Sequence, residues 1–246
     1  RPLLTSATNS IDIFRTSNAG NAELVFDNIS FSSTAATRGH GLIAWGGSVQ
    51  LVCRNCIFDG FEKGIDGDVF NDANTNFTSV DLYNTEVKNS TSHGVVNNGP
   101  VRLHDGSAIH GNTGSGVVSG STNVTVPNTC VRSAIYTNGG AGLAGYSAGA
   151  AAATMSWHVE NSDIYNNTGD GIMAGIVGQA CLSLVNNIIF GNGAFGVNLL
   201  SGSAEPIVDS HNAFGSNTSG NRNNFATSPT DITLTTSPFT SSTNLV

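Results

Sequence analysis

Basic side chains are scarce in this chain: nine Lys and Arg stand against seventeen Asp and Glu, a formal net charge of −8. A surface of that sign repels polyphosphates, which argues against nucleic acid or an anionic membrane as the main partner. Charge of either sign is sparse, at 11% of residues, yet the hydrophobic share is a moderate 39%. Asn, Ser, Thr and Gly fill the difference, so the surface is polar but mostly uncharged, which suits a neutral glycan or another protein. No run of eighteen apolar residues occurs, so no helix of this sequence spans a bilayer. The opening stretch Arg1 to Asn9 lacks the apolar core of a secretory leader; in an exported protein the leader is removed or lies outside this sequence. Proline is rare, at six residues, and no Pro-rich linker or charge block divides the chain. It reads as one domain over 1–246.

What is present is a repeat. An aliphatic residue is followed, after six residues, by Gly and another aliphatic. The segments are Ile57 with Gly64-Ile65, Val87 with Gly94-Val95, Ile109 with Gly116-Val117, Ile135 with Gly142-Leu143, Ile164 with Gly171-Ile172, and Ile189 with Gly196-Val197. The Gly positions are 30, 22, 26, 29 and 25 residues apart, so all variation falls between one Gly and the next anchor. One half of each unit is rigid and one corner accepts insertions. Upstream of each anchor the residues alternate, as in Val49-Leu51-Cys53 and Val80-Leu82, or are apolar in a short run, as in Leu182-Ser183-Leu184-Val185. Both patterns read as strands, and no convincing helical stripe occurs. Strands this short bury an apolar face by stacking on neighbours about 4.8 Å away.

The sequence therefore predicts an all-β, right-handed parallel β-helix of about seven or eight coils. Its clear repeats cover 49–208, a looser coil precedes them over Ala22 to Trp45, and 209–246 forms a C-terminal extended tail. Three residues after the anchor stand Asn112, Asn138, Asn167 and Asn192. A side-chain amide repeated at one register bonds its counterpart in the next coil, so an Asn ladder is expected there. Gly60 and Ser90 take that position in the first two repeats and should interrupt the ladder. No amphipathic segment at either end promises a capping helix.

Segments such as Glu160-Asn-Ser-Asp-Ile-Tyr-Asn-Asn-Thr-Gly-Asp-Gly-Ile172 and Val185-Asn-Asn-Ile-Ile-Phe-Gly-Asn-Gly-Ala-Phe-Gly-Val197 resemble the repeat of the pectate-lyase-like superfamily of parallel β-helices. The resemblance covers roughly Val49 to Val208. It implies the fold, and it spans polysaccharide lyases, glycoside hydrolases, epimerases, tailspikes, adhesins and inert surface solenoids. Arg38-Gly-His40-Gly41 resembles the Gly-His-Gly element of polygalacturonases, in which a His organises a group of carboxylates. The rest of that signature is absent: no Asn-Thr-Asp, no upstream Asp-Asp pair and no later Arg-Ile-Lys.

Candidate chemistry is thin. Asp59, Glu62, Asp66, Asp68 and Asp72 form the densest acidic stretch, and Asp66, Asp68 and Asp72 are candidate oxygen ligands for Ca²⁺, although the spacing does not make an EF-hand loop. Glu86, Lys88 and His110 are close in register and are the candidate catalytic group for proton transfer at a sugar. No carboxylate pair of the kind a glycoside hydrolase needs can be placed. Among the cysteines, Cys53 and Cys56 are the one pair close enough to bridge, provided strand alternation does not turn Cys56 outward; Cys130 and Cys181 fall in alternate coils, too far apart. Asn28, Asn76, Asn89, Asn123, Asn166 and Asn217 head Asn-x-Ser/Thr sequons, a number that chance supplies in so Asn-rich a chain.

Two functions follow. The favoured expectation is an extracellular, non-catalytic solenoid at a cell or virion surface: a fibre subunit, adhesin or glycan-associated module. Its partners would be a polysaccharide or glycan, or neighbouring copies packed end to end or side by side. The alternative is a polysaccharide-active enzyme, lyase or glycoside hydrolase, working on one sheet face.

Overall fold

A computed structural model describes residues 1–7, 12–16, 22–44, 49–67, 78–121, 126–147, 154–175, 179–200 and 207–239. Among them there is no helix, and the strands form three parallel sheets of ten, nine and eight strands. Nearly every strand pairs with the one three places along the chain, as Glu86–Lys88 does with Ala108–His110 and that strand with Ala134–Tyr136. One strand from each sheet makes one coil, and the chain is a right-handed parallel β-helix. The coils continue past the clear repeats. Leu3–Ser6 pairs with Ser30–Ser33 at one end, and Ile232–Thr233 with Ala213–Gly215 at the other.

The core follows from the alternation. In the eight-stranded sheet Val80 and Leu82, Val101 and Leu103, Trp157 and Val159, and Leu182 and Leu184 all point inward and are buried. The ten-stranded sheet is built of short strands whose middle residues stack in one column: Val87, Ile109, Ile135, Ile164 and Ile189, each 0% exposed. Burying each contributes roughly 1.5–3 kcal/mol. The glycine of the repeat exists because nothing larger fits. A Cβ on Gly142 would lie 2.6 Å from the Gly171 carbonyl oxygen, 2.9 Å from Asn167 Nδ2 and 3.0 Å from Ile164 Cγ2. Gly94, Gly116 and Gly171 meet the same three groups of their own next coils, so Gly, anchor and ladder Asn specify one packing unit.

The first repeat departs from the sequence reading by one residue. Phe58 pairs with Val87 and enters the core, stacking on Phe31 with ring centroids 4.7 Å apart, whereas Ile57 pairs with Glu86 and faces outward. The corner that follows is one residue shorter. Phe61, not Gly60, then occupies the ladder register: its carbonyl accepts the Thr91 N–H as the Ser90 carbonyl accepts that of Thr113.

The Asn ladder runs as expected and goes one coil further. Asn112 Nδ2 donates to Asn138 Oδ1, Asn138 to Asn167, Asn167 to Asn192 and Asn192 to Asn217, at 2.9–3.0 Å. It stops at Ser90, whose N–H donates to Asn112 Oδ1 at 2.9 Å, and Phe61 lies beyond. A second polar column fills another corner. Cys56, Thr85, Ser107, Ser133, Ser162, Asn187 and Asn212 are all buried there, and Ser162 N–H donates to Asn187 Oδ1 and Asn187 N–H to Asn212 Oδ1. Because its members differ in kind, the sequence does not display it as a repeat. Both corners need a left-handed residue beside the ladder, which places Asn84, Asn161, Asn166 and Asn186 at φ of 46–55°.

Cys53 and Cys56 both turn into the core, so Cys56 is not the outward residue that simple alternation allows, and the two are not bridged to each other. The hydrogen bond between the Cys53 and Cys56 thiols pushes Cys53 up and brings Cys56 down to about 7. At the C-terminal end, Arg222 lies over the Phe214 ring at 4.0 Å and pairs with Asp209 and Asp231. A desolvated cation held by two carboxylates thus closes the last coil, where a capping helix is absent among the described residues. The tail then lies along the ten-stranded sheet, with Phe239 stacked on Tyr165 at 4.0 Å.

Candidate functional site

The residue before each repeat glycine forms a column along the edge of the nine-stranded sheet. Strand pairing places Asp12, His40, Lys63 and His93 in it on four successive coils, followed by Ser115, Ala141 and Asp170. Four titratable groups about 4.8 Å apart are a concentration found nowhere else along this column. Asp66, two residues beyond Gly64, adds a carboxylate that is 0% exposed.

His40 is the centre of the group. Its backbone N–H and its Nδ1 both meet Asp12 Oδ1, at 2.9 and 3.0 Å. An ionised carboxylate only accepts, so Nδ1 carries the proton and, in the neutral ring, Nε2 carries the lone pair. That Nε2 is buried, has no hydrogen-bond partner among the described residues, and lies 3.5 Å from Asp66 Oδ2, an ion-pair distance when the ring is protonated. Asp66 Oδ2 accepts from Lys63 Nζ at 2.8 Å, while its buried Oδ1 has no partner there either. Leaving a buried polar atom unpaired costs roughly 1–3 kcal/mol. These two, on adjacent coils, are among several buried polar atoms left without a hydrogen bond among the described residues. His93 flanks the group; its Nδ1 accepts the Ser115 N–H at 2.9 Å, and burial, with the nearby Lys63 charge, lowers its pKa.

The group expected from sequence does come together, on the outer face of the ten-stranded sheet. Glu86 Oε1 meets His110 Nε2 at 2.8 Å and Glu86 Oε2 accepts from Lys88 Nζ at 2.9 Å. The His110 hydrogen bond, then Lys88, bring Glu86 down to about 2. Each charge is answered by another, so the trio is a closed network and Glu86 is a weak base. His110 stacks on Tyr136 at 4.5 Å and Tyr136 on Tyr165 at 5.0 Å. Beside them a trough of about 520 Å³ opens over Ala108 and Ala134, between Glu86 and Asp163.

Of the proposed Ca²⁺ ligands, Asp68 and Asp72 lie outside the described residues, and Asp66 is engaged by Lys63. No group of three His, Cys, Asp or Glu with metal-binding geometry occurs among the described residues. Of the sequon asparagines, Asn28, Asn89 and Asn166 are exposed, Asn76 and Asn123 lie outside the described residues, and Asn217 is buried with its amide in the ladder.

Asp12 and His93 are absent from the sequence reading. The signal for His93 was available: His40, Lys63 and His93 each precede a Gly-aliphatic step, so aligning the repeats on glycine puts them in one column. Asp12 was not legible, because its coil has Ile13 where the others have Gly.

No family model matches the chain, and no curated protein matches it. Among solved structures, the chain is similar to the A-module of the mannuronan C-5 epimerase AlgE4 of Azotobacter vinelandii. That similarity carries 14% sequence identity and a TM-score of 0.33, and covers 91% of this chain and 85% of that one.

Proposed function

We propose that this β-helix is a polysaccharide-active protein working outside the cytoplasm, with His40 as its acid–base group. The observation that supports the reading is two buried atoms without a hydrogen-bond partner among the described residues, His40 Nε2 and Asp66 Oδ1. Asp12 holds the ring in the tautomer whose Nε2 bears the lone pair, and an imidazolium formed there would be stabilised by Asp12 and Asp66. In a lyase reaction the proton taken from the carbon beside a uronate carboxyl would pass from Nε2 to the glycosidic oxygen as the carbon–oxygen bond breaks and the carbon–carbon double bond forms. Lys63 pairs with the buried Asp66 carboxylate at 2.8 Å and so balances its charge beside the imidazole. The sequence favours an inert solenoid because no hydrolase carboxylate pair can be placed on it and Glu86, Lys88 and His110 are weak candidates; the Asp12–His40–Asp66–Lys63 arrangement supports the enzymatic reading.

A non-catalytic glycan-binding solenoid is the second reading, favoured by the closed Glu86–Lys88–His110 network. One experiment separates the two. Purified protein is incubated with acidic and neutral polysaccharides, with and without Ca²⁺, and followed by reducing ends, unsaturated-uronate absorbance and the proton NMR spectrum of the polymer. Turnover is expected, and His40→Ala should lower it roughly 100-fold or more with unchanged melting. No change in any polymer, or full activity in His40→Ala, would select the second reading.

A further inference from the structure

The trough lies on the ten-stranded sheet, whereas the His40 column lies along the edge of the nine-stranded one. Its floor is the outward row Glu86, Ala108, Ala134 and Asp163, on four successive strands. Two alanines in the middle of that row leave a depression, and the carboxylates at its ends are about 14 Å apart along the backbone by strand spacing. That gap exceeds the roughly 6.5–9.5 Å that an inverting hydrolase uses, so the row is arranged for binding.

Charge accounting identifies the ligand. Glu86 is neutralised by Lys88 and His110, and Arg132 at the rim is tied to Asp105. Asp163 has no side-chain partner among the described residues and is half-buried, leaving one uncompensated negative charge facing the trough. The remaining groups are the Tyr136 hydroxyl and the Asn161 amide, whose Oδ1 accepts from Asn186 Nδ2 and whose Nδ2 donates to Glu160 Oε1, leaving one amide hydrogen to offer. Tyr136 cannot offer a stacking face, since His110 and Tyr165 cover both sides of its ring. An apolar or aromatic ligand finds no platform here. At about 520 Å³ the space is of the size that small-ligand sites have, and its polar groups are spread around the rim instead of marking a narrow channel for one alkyl stem.

We propose that this trough is a second saccharide site, specific for a glycan unit that carries an ammonium group, which pairs with Asp163 while its hydroxyls bond Asn161 and Tyr136. The test is calorimetric titration of the whole chain with a glucosamine hexamer at physiological salt, where diffuse attraction to the negative protein is screened. The N-acetylated hexamer and trilysine serve as comparisons. The glucosamine oligomer should bind at least about tenfold more tightly than its N-acetylated form, the size of one charge-assisted hydrogen bond. Asp163→Asn, isosteric and uncharged, should remove that preference. Ala134→Phe, which fills the floor, should abolish binding with an unchanged circular dichroism spectrum. Absence of binding, equal affinity for both hexamers, or binding indifferent to both substitutions would overturn the proposal. Trilysine binding as tightly and with the same sensitivity to Asp163→Asn would overturn it in favour of a basic-peptide site.

Discussion

Replacing Asn167 by Ala tests the ladder at its centre. Asn167 Oδ1 accepts from the Asn138 N–H at 3.1 Å and from Asn138 Nδ2 at 2.9 Å. Its own Nδ2 donates to the Ile135 carbonyl at 3.1 Å and to Asn192 Oδ1 at 3.0 Å. All these groups are buried, so the truncation strands two donors on Asn138. At roughly 1–3 kcal/mol for each orphaned group, the loss should be about 2–6 kcal/mol. It falls at the low end if a water enters the space left by the amide. Coils are stabilised by their neighbours, so the effect should appear in the unfolding of the whole solenoid and not as a local fraying. The measurement is urea unfolding followed by circular dichroism, with midpoint and slope compared to the parent chain. A loss below about 1 kcal/mol with unchanged slope would show that the amides are solvated and that the ladder does not support the corner.

Three further outcomes are expected. Ile164→Ala, at a position 0% exposed in the core column, should cost about 2–5 kcal/mol in the same assay; an unchanged midpoint would remove it from the core. Gly142→Ala should destabilise by roughly 1–3 kcal/mol, because the added methyl meets the Gly171 carbonyl oxygen at 2.6 Å; a neutral or stabilising result would contradict the packing unit of glycine, anchor and Asn. Glu86 is held at about 2 by His110 and then Lys88, against an ordinary value of 4.5. A depressed carboxylate contributes stability that is fully present above its unfolded pKa and lost as pH falls through the folded one. Glu86→Gln should therefore flatten the stability profile between about pH 4.5 and 2, and parallel profiles for the two proteins would refute the pairing.

The periodicity of this sequence determined the solenoid by itself, because a glycine, an aliphatic anchor and an Asn at constant offsets leave one way to stack. The ladder residues Asn112 to Asn192 and the buried Ile column could be named without coordinates for that reason. The register of the first repeat could not, since Ile57 and Phe58 are both apolar and the choice rests on which side chain fills the space beside Phe31. The Glu86, Lys88 and His110 group was legible in position, yet that its charges cancel one another became visible through side-chain geometry. The His40 site lay furthest from reach. Asp12, His40 and Asp66 are spread over three coils, and hydrogen-bonded strands bring them together at a spacing of about 4.8 Å. Chain order records none of that proximity, and tertiary stacking alone brought a histidine in a glycine turn together with two carboxylates and a lysine.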